Sequence, residues 1–358
     1  MRSLLGLALV ACLAQGCSGE PRVQDVQVPR GFRLEVYARV PGARHLAVAP
    51  DGTVFVGTLK QHVYAVTPRR QVVLLADGLN APNGVAFANG DLYIAEIHRL
   101  SKIPQVLTSL GKKSPTLTLN DQLPSHAHHG YRVLRFGPDR RLYIGLGAPC
   151  NVCESQDPMG TISRFSTDFK ALEVYARGVR NSMGFDWDPK GSGLWFSDNG
   201  RDMLGDDLPL EEVNHAPRPG LHFGFPYRHG YNQWDPDFGR KAPPKLTFAP
   251  PAGVMQAHVA PLGLRFYRGK QFPSQYRDGF FVANHGSWNS TTPVGYRVMF
   301  CASPKTGEVR PSVFAQGWLK AGVTNGRPVD LEELPDGSMV VSDDYAGVLY
   351  RLSYSNKD

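Results

Sequence analysis

The chain lacks a sustained helical signal. No segment of its 358 residues keeps an apolar 3.6-residue period over three turns; the nearest candidate, Leu208–Val213, is short. Cysteine is scarce, five in all. Cys150 and Cys153 form a C-x-x-C pair, but Glu154 stands where c-type haem attachment needs a histidine, and no second pair exists to complete a zinc site. A short disulfide or two free thiols both remain open for that pair, the disulfide being favoured in an oxidising compartment. Also missing is any Lys/Arg run with interleaved aromatics. The net charge of +7 is spread among interleaved acids, which argues against nucleic acid as a partner and suits a small anionic ligand. Ser287 has no G-x-S-x-G context, so a serine hydrolase is discounted.

The apolar run from Leu4 to Ala14 is too short to cross a bilayer. Arg2 precedes it and Ala14-Gln15-Gly16-Cys17 ends it, the pattern of an export signal. Residues 1–17 are expected to be a lipoprotein signal whose Cys17 becomes the lipidated first residue, with 18–30 as a tether; ordinary secretion with cleavage nearby is the alternative. The expected location is periplasmic, with the membrane reached only through the lipid.

Glycine (38) and proline (29) are abundant and cluster in short turns. One pattern recurs: an alternating apolar strand, a turn rich in Pro, Asp, Asn or Gly, and a second strand. It runs from Leu46 to Gly57, Gly84 to Ala95, His128 to Gly147, Gly184 to Ser197, Gly263 to Ala283 and Val329 to Ser342. Asp-Gly and Asn-Gly serve as the turns because positive φ is cheap there. Six small antiparallel units read as an all-β fold, a six-bladed β-propeller over residues 31–355. A β-sandwich fits six similar units poorly. Arg33–Ala38 and Val348–Leu352 are placed to share a blade and close the ring, with insertions around 200–260 and 285–325, where loops at a face collect function.

The third repeat opens with His128-His129-Gly130-Tyr131-Arg132, and Arg180-Asn181 stands just ahead of the fourth. Corresponding places in successive blades converge on the axis. A histidine, an arginine and an asparagine facing one cavity are equipment for removing hydride from an alcohol: the imidazole takes the hydroxyl proton and the guanidinium holds charge developing on an acceptor. A nearby cation also keeps the imidazole neutral and basic. Each residue taken singly reads as a satisfied structural polar group; their co-placement favours a site. Downstream, Asp198-Asn199-Gly200-Arg201-Asp202 is an oxygen-rich loop of the kind Ca²⁺ accepts, without EF-hand spacing; a polar surface loop is the plain alternative. Arg327 and Asp330 precede the sixth repeat, and Trp288, following His285, is placed to cover a flat ligand.

These motifs, in this order, resemble the soluble pyrroloquinoline-quinone (PQQ) dependent sugar dehydrogenases, and most closely their sorbosone dehydrogenase branch. The matching pieces are His129 eight residues before Gly137-Pro138-Asp139, then Gly178-Val179-Arg180-Asn181, Ser197-Asp198-Asn199-Gly200, Gly224-Phe225-Pro226, His285 to Asn289, and Gly326-Arg327 with Asp330. The resemblance spans roughly residues 30 to 352 and implies PQQ and Ca²⁺ on the propeller axis beneath a sugar or aldehyde substrate. It implies His129 as general base, with His128 in support. Arg180 and Asn181 would contact the quinone carbonyls, Gly200 and Arg201 would offer backbone oxygens to calcium, and Arg327 would pair with a PQQ carboxylate. His258, His285, Trp288 and Asp330 complete the expected cofactor surroundings. Three departures stand out: Val329 where the family carries a second arginine, no lysine near His285-Gly286, and His258 about where a threonine is expected. The expected activity is oxidation of an aldose or sugar aldehyde, with an external electron acceptor. A calcium-dependent lactonase on a similar propeller and a non-catalytic binding propeller are the rivals.

Overall fold

The computed structural model describes residues 21–112, 115–302 and 308–355. The expected signal peptide and Cys17 lie outside them. Six four-stranded antiparallel units follow one another along the chain, each strand paired to the next. Blade one comprises Leu46–Val48, Val54–Val56, Val63–Val66 and Val72–Ala76; blade two comprises Gly84–Ala88, Asp91–Ala95, Leu100–Ile103 and Leu117–Asn120. Blade three is Val133–Phe136, Leu142–Leu146, Thr161–Phe165 and Leu172–Arg177, and blade four is Gly184–Trp187, Leu194–Asp198, Glu211–Ala216 and Gly253–Met255. Blade five takes Pro261–Phe266, Phe280–Asn284, Arg297–Cys301 and Ser312–Gln316. Blade six takes Pro328–Glu333, Met339–Asp343, Val348–Tyr354 and, from the other end of the chain, Phe32–Arg39. The six sequence repeats are the first two strands of the six blades, and Phe32↔Tyr354 through Arg39↔Val348 close the ring. The segment Leu208–Val213 is no helix; Glu211–Ala216 is a strand.

The turns explain the hairpins. In blade one, Thr53 O accepts the Ala49 N–H at 2.9 Å across a turn whose Gly52 sits at φ 89°, a conformation an L side chain resists. Between blades the core is divided: among the described residues, six apolar clusters each fill one junction between neighbours. Tyr267, Phe281, Leu331 and Tyr350 sit between blades five and six, while Phe55, Val63, Val85 and Ile94 sit between blades one and two. Each such large side chain stabilises its junction by about 1.5–3 kcal/mol. Near the axis the inner strands leave no room: a Cβ on Gly184 would lie 2.2 Å from the Leu262 carbonyl oxygen.

Because strands alternate in direction, every inner strand starts, and every second strand ends, at one face, called here the upper face. Charged side chains fill the axis below it. Arg135 reaches Glu332 at 3.2 Å, Arg265 bonds Glu332 and lies 3.5 Å from Asp186, and Arg268 lies 2.8 Å from Asp186. This column joins blades three to six. The long insertion after blade four's third strand adds Leu221–His222 in parallel beside blade three's outer strand and forms the hairpin of Arg228–His229 with Gln233–Trp234. Part of the expected tether is docked, with Gln27 paired to Gln316.

Candidate active site

His129 lies four residues ahead of blade three's inner strand, at φ 49°. Its Nδ1 is 2.8 Å from the Ala148 carbonyl oxygen. A carbonyl only accepts, so Nδ1 carries the proton and the neutral ring keeps its lone pair on Nε2. Burial, then the charges of Arg180 and His128, push this imidazole down to about 3, against the opposing pull of the Ala148 bond. The ring is therefore neutral and able to accept a proton at any pH above that. His128 is exposed and packs edge-on against it, ring centroids 4.1 Å apart. Arg132 turns away: fully buried, it donates to the carbonyls of Ile97 and Pro124, which hold the loop leading into blade three.

Blade four brings Arg180 and Asn181 to the same place. Asp198, at the end of that blade's second strand, accepts both their backbone N–H groups, at 2.9 and 2.7 Å. The Ala148 N–H donates to the Arg180 carbonyl at 2.8 Å, so the Ala148 peptide ties the two blades together through both of its ends. Gly147 lies in the contact: a Cβ there would meet the His129 Cβ at 2.5 Å and Asn181 Oδ1 at 2.9 Å. The Arg180 guanidinium is buried and bonded to Asn151, Asn199 and Asp202. The Asn181 carboxamide makes no hydrogen bond among the described residues.

Beside Arg180 runs Asn199-Gly200-Arg201. Asn199 Nδ2 bonds the carbonyls of Asn181 and Pro261 at 3.0 and 2.9 Å, and Glu211 accepts the Gly200 N–H at 2.6 Å. Burial pushes Asp198 up to about 6 and Glu211 up to about 8. The Arg201 side chain is buried and pairs with Asp235 at 2.7 Å and Asp237 at 3.0 Å, leaving only its backbone for a metal. Among the described residues no cluster of three or more His, Cys, Asp or Glu side chains could hold one. The two backbone carbonyls of Gly200 and Arg201 would supply only part of the six to eight oxygens that Ca²⁺ takes.

The remaining expected residues divide. Arg327 donates to the carbonyls of His285 (3.2 Å) and Gly286 (2.7 Å) and lies over the Tyr296 ring at 5.6 Å; among the described residues no carboxylate neutralises it. His285 Nε2 is 2.9 Å from Asp344, and burial pushes its ring down to about 4. Trp288, on the same loop, is 70% exposed. His258 sits at φ 64° with Nε2 2.7 Å from the Gly205 carbonyl, pinning blade four's loop. Asp330 lies deeper, 2% exposed; its carboxylate accepts the Leu46 N–H at 2.9 Å and is 3.6 Å from His45. It joins blade six to blade one below the upper face.

Three residues escaped the sequence reading. Arg44, ahead of blade one, is paired with Asp344 at 2.6 Å and with Asn83 at 3.1 Å, which sets another guanidinium at the face. Arg44 stands two residues ahead of its inner strand, whereas His129 and Arg180 stand four ahead of theirs, so its place in the repeat did not single it out. Asp344 and Asn151 carry no sequence signal of that kind. Cys150 and Cys153 are joined as a disulfide, Cα atoms 6.1 Å apart.

A family model described as glucose/sorbosone dehydrogenase matches residues 107–287, which includes His129, Arg180, Asn181, Gly200 and His285. The chain belongs to this family. A second model, TrAA12-like, matches residues 242–354 of the dehydrogenase-family chain. An uncharacterized protein of Borreliella burgdorferi is 34% identical over 352 residues, 94% of this chain and 93% of that one. Among solved structures, the holo form of the pyranose dehydrogenase PQQ domain from Coprinopsis cinerea superposes with a TM-score of 0.76 at 18% identity, covering 94% of this chain and 98% of that chain. The calcium structure of the Trichoderma reesei family AA12 enzyme gives 0.73 at 20%, covering 92% and 97%. The PQQ-bound aldose sugar dehydrogenase of Streptomyces coelicolor gives 0.64 at 19%, covering 92% and 100%. These likenesses show the propeller fold.

Proposed function

We propose that this protein is a quinoprotein that oxidises an aldose or sugar aldehyde, with PQQ and Ca²⁺ at the upper face. The observation that carries the reading is the seam at Ala148, which bonds both His129 Nδ1 and the Arg180 backbone, with a half-buried neutral imidazole whose Nε2 makes no hydrogen bond among the described residues and which feels the Arg180 charge. His129 Nε2 takes the proton of the substrate hydroxyl as hydride leaves the carbon. Arg180 and Asn181 orient and polarise the acceptor's carbonyls. PQQ, when bound, supplies the two-electron acceptor, and an external acceptor restores it.

The residues present fit such a group. PQQ is a flat polyanion, and Arg327 offers a guanidinium that no described carboxylate neutralises, stacked on Tyr296. Trp288 offers an exposed ring, Asn181 an uncommitted carboxamide, and Gly200 and Arg201 backbone oxygens for calcium. His258, His285 and Asp330 act from behind, holding loops and blades in place. The absent second arginine at Val329 and the absent lysine leave fewer cations than the family pattern, which predicts weaker cofactor retention.

The test is to add PQQ and CaCl₂ to the purified chain, record the quinone absorbance, and follow dye reduction over a panel of aldoses and sugar aldehydes. A shifted quinone spectrum with sugar-dependent dye reduction is expected. An unchanged spectrum sinks the reading, and calcium-dependent lactone hydrolysis without quinone would replace it with a hydrolase.

A further inference from the structure

The stretch Ala148 to Cys153 does more than join two strands. Ala148 accepts from His129 Nδ1 and donates to the Arg180 carbonyl. Three residues later, Asn151 takes two of the four bonds made by the Arg180 guanidinium. Its backbone oxygen accepts Nε at 2.8 Å and its Oδ1 accepts Nη2 at 2.8 Å. The other two bonds go to Asn199 O at 3.2 Å and Asp202 Oδ2 at 3.0 Å.

Asn151 is itself fixed. Its Oδ1 also accepts the Asp202 N–H at 2.8 Å and its Nδ2 donates to the Asp202 carbonyl at 3.2 Å, so both ends of the carboxamide are used. On either side stand Cys150 and Cys153, bonded to each other. The disulfide closes a four-residue ring around the clamp and removes backbone freedom from it.

We infer that Asn151, held in the Cys150–Cys153 ring, is the positioning residue that fixes the Arg180 guanidinium at the seam between blades three and four. A neutral carboxamide suits this task. The Arg180 charge is already paired once, with Asp202 at 3.0 Å; Asn151 fixes the orientation of the guanidinium without adding a second counter-charge. The ring makes that placement depend on the oxidised state of two half-buried sulfurs. The inference rests on the proposed roles of Arg180 and His129, and its test has an arm that needs no quinone.

In the quinone-free protein, the His129 ring is followed by NMR of labelled imidazole in wild type, Asn151→Ala and a Cys150→Ser/Cys153→Ser double variant. Arg180 and His128 are the charged or titratable groups that bear on this ring. Wild-type His129 stays neutral through pH 5. With the clamp removed, Arg180 swings away and the His129 midpoint rises by about one unit; the double serine variant, and wild type treated with dithiothreitol, move in the same direction by less. In the PQQ-loaded protein, Asn151→Ala lowers kcat about tenfold with KM little changed, the pattern of lost orientation. An unmoved titration and an unmoved kcat, with only thermal stability reduced, overturn the inference. If Asn151→Ala does not fold, the double serine variant and reduced wild type decide it by the same criterion. A shifted titration in a protein that binds no quinone would uphold the clamp and overturn the proposed function instead.

Discussion

His45 and His129 both precede an inner strand, by one residue in blade one and by four in blade three. Both imidazoles are pushed down to about 3, in each case chiefly by burial. They are wired in opposite senses. His45 Nδ1 accepts the Val85 N–H at 3.3 Å, so its proton is on Nε2, which faces Asp330 at 3.6 Å. Its lone pair is spent on the backbone of the next blade. His129 donates from Nδ1, and its Nε2 makes no hydrogen bond among the described residues. Depressed basicity alone therefore does not distinguish a catalytic imidazole from a structural one; the direction of the lone pair does.

Substitution should separate the two most sharply. His129→Ala is expected to lower turnover of the PQQ-loaded protein about 1000-fold while the far-ultraviolet spectrum and unfolding midpoint stay near wild type. Full turnover in that variant would move the base elsewhere. His45→Ala leaves the Val85 N–H and the Asp330 carboxylate short of a partner and should cost about 2 kcal/mol of stability, measured by denaturant unfolding, with turnover per folded molecule retained. A smaller effect is expected at the seam beside His129. Gly147→Ala inserts a methyl group where His129 Cβ is 2.5 Å away, and a shift of that size should reduce kcat about tenfold.

The smallest expected effect is on the pH dependence of stability. Both rings have an ordinary value of 6.5, lowered in the fold to about 3. Between those limits the unfolded chain binds more protons than the folded one, so each ring's contribution is full above 6.5 and is lost as pH falls towards 3. Asp330 acts in the opposite sense: burial raises it from 3.8 to about 6, so over that interval acidification favours the fold. Calorimetry between pH 7 and 4 should show a shallower loss of Tm in His45→Ala than in wild type. An equal or steeper loss would mean that His45 is not held neutral.

Much of this was legible in the sequence because it is local. Turns such as Asp51-Gly52 and Asn89-Gly90 mark the hairpins, alternating apolar residues mark the strands, and six repeats mark the ring. His129, Arg180 and Asn181 were singled out by their place ahead of two successive repeats, and the structure sets His129 and Asn181 on either side of Gly147. What escaped was contact between distant parts of the chain. Arg44 and Asp344 are 300 residues apart and meet only because the ring closes. Asn151 reads as an unremarkable loop residue until the disulfide and Asp202 enclose it. The tautomers of His45 and His129 depend on which backbone group each ring meets, and composition does not encode that.

The column of Arg135, Glu332, Arg265, Asp186 and Arg268 stands below this site, each residue bonded to one from another blade. It bridges blades three, four, five and six across the axis on the side away from the site, so under the proposed chemistry a ligand at the upper face would rest above a layer of paired charges rather than apolar side chains.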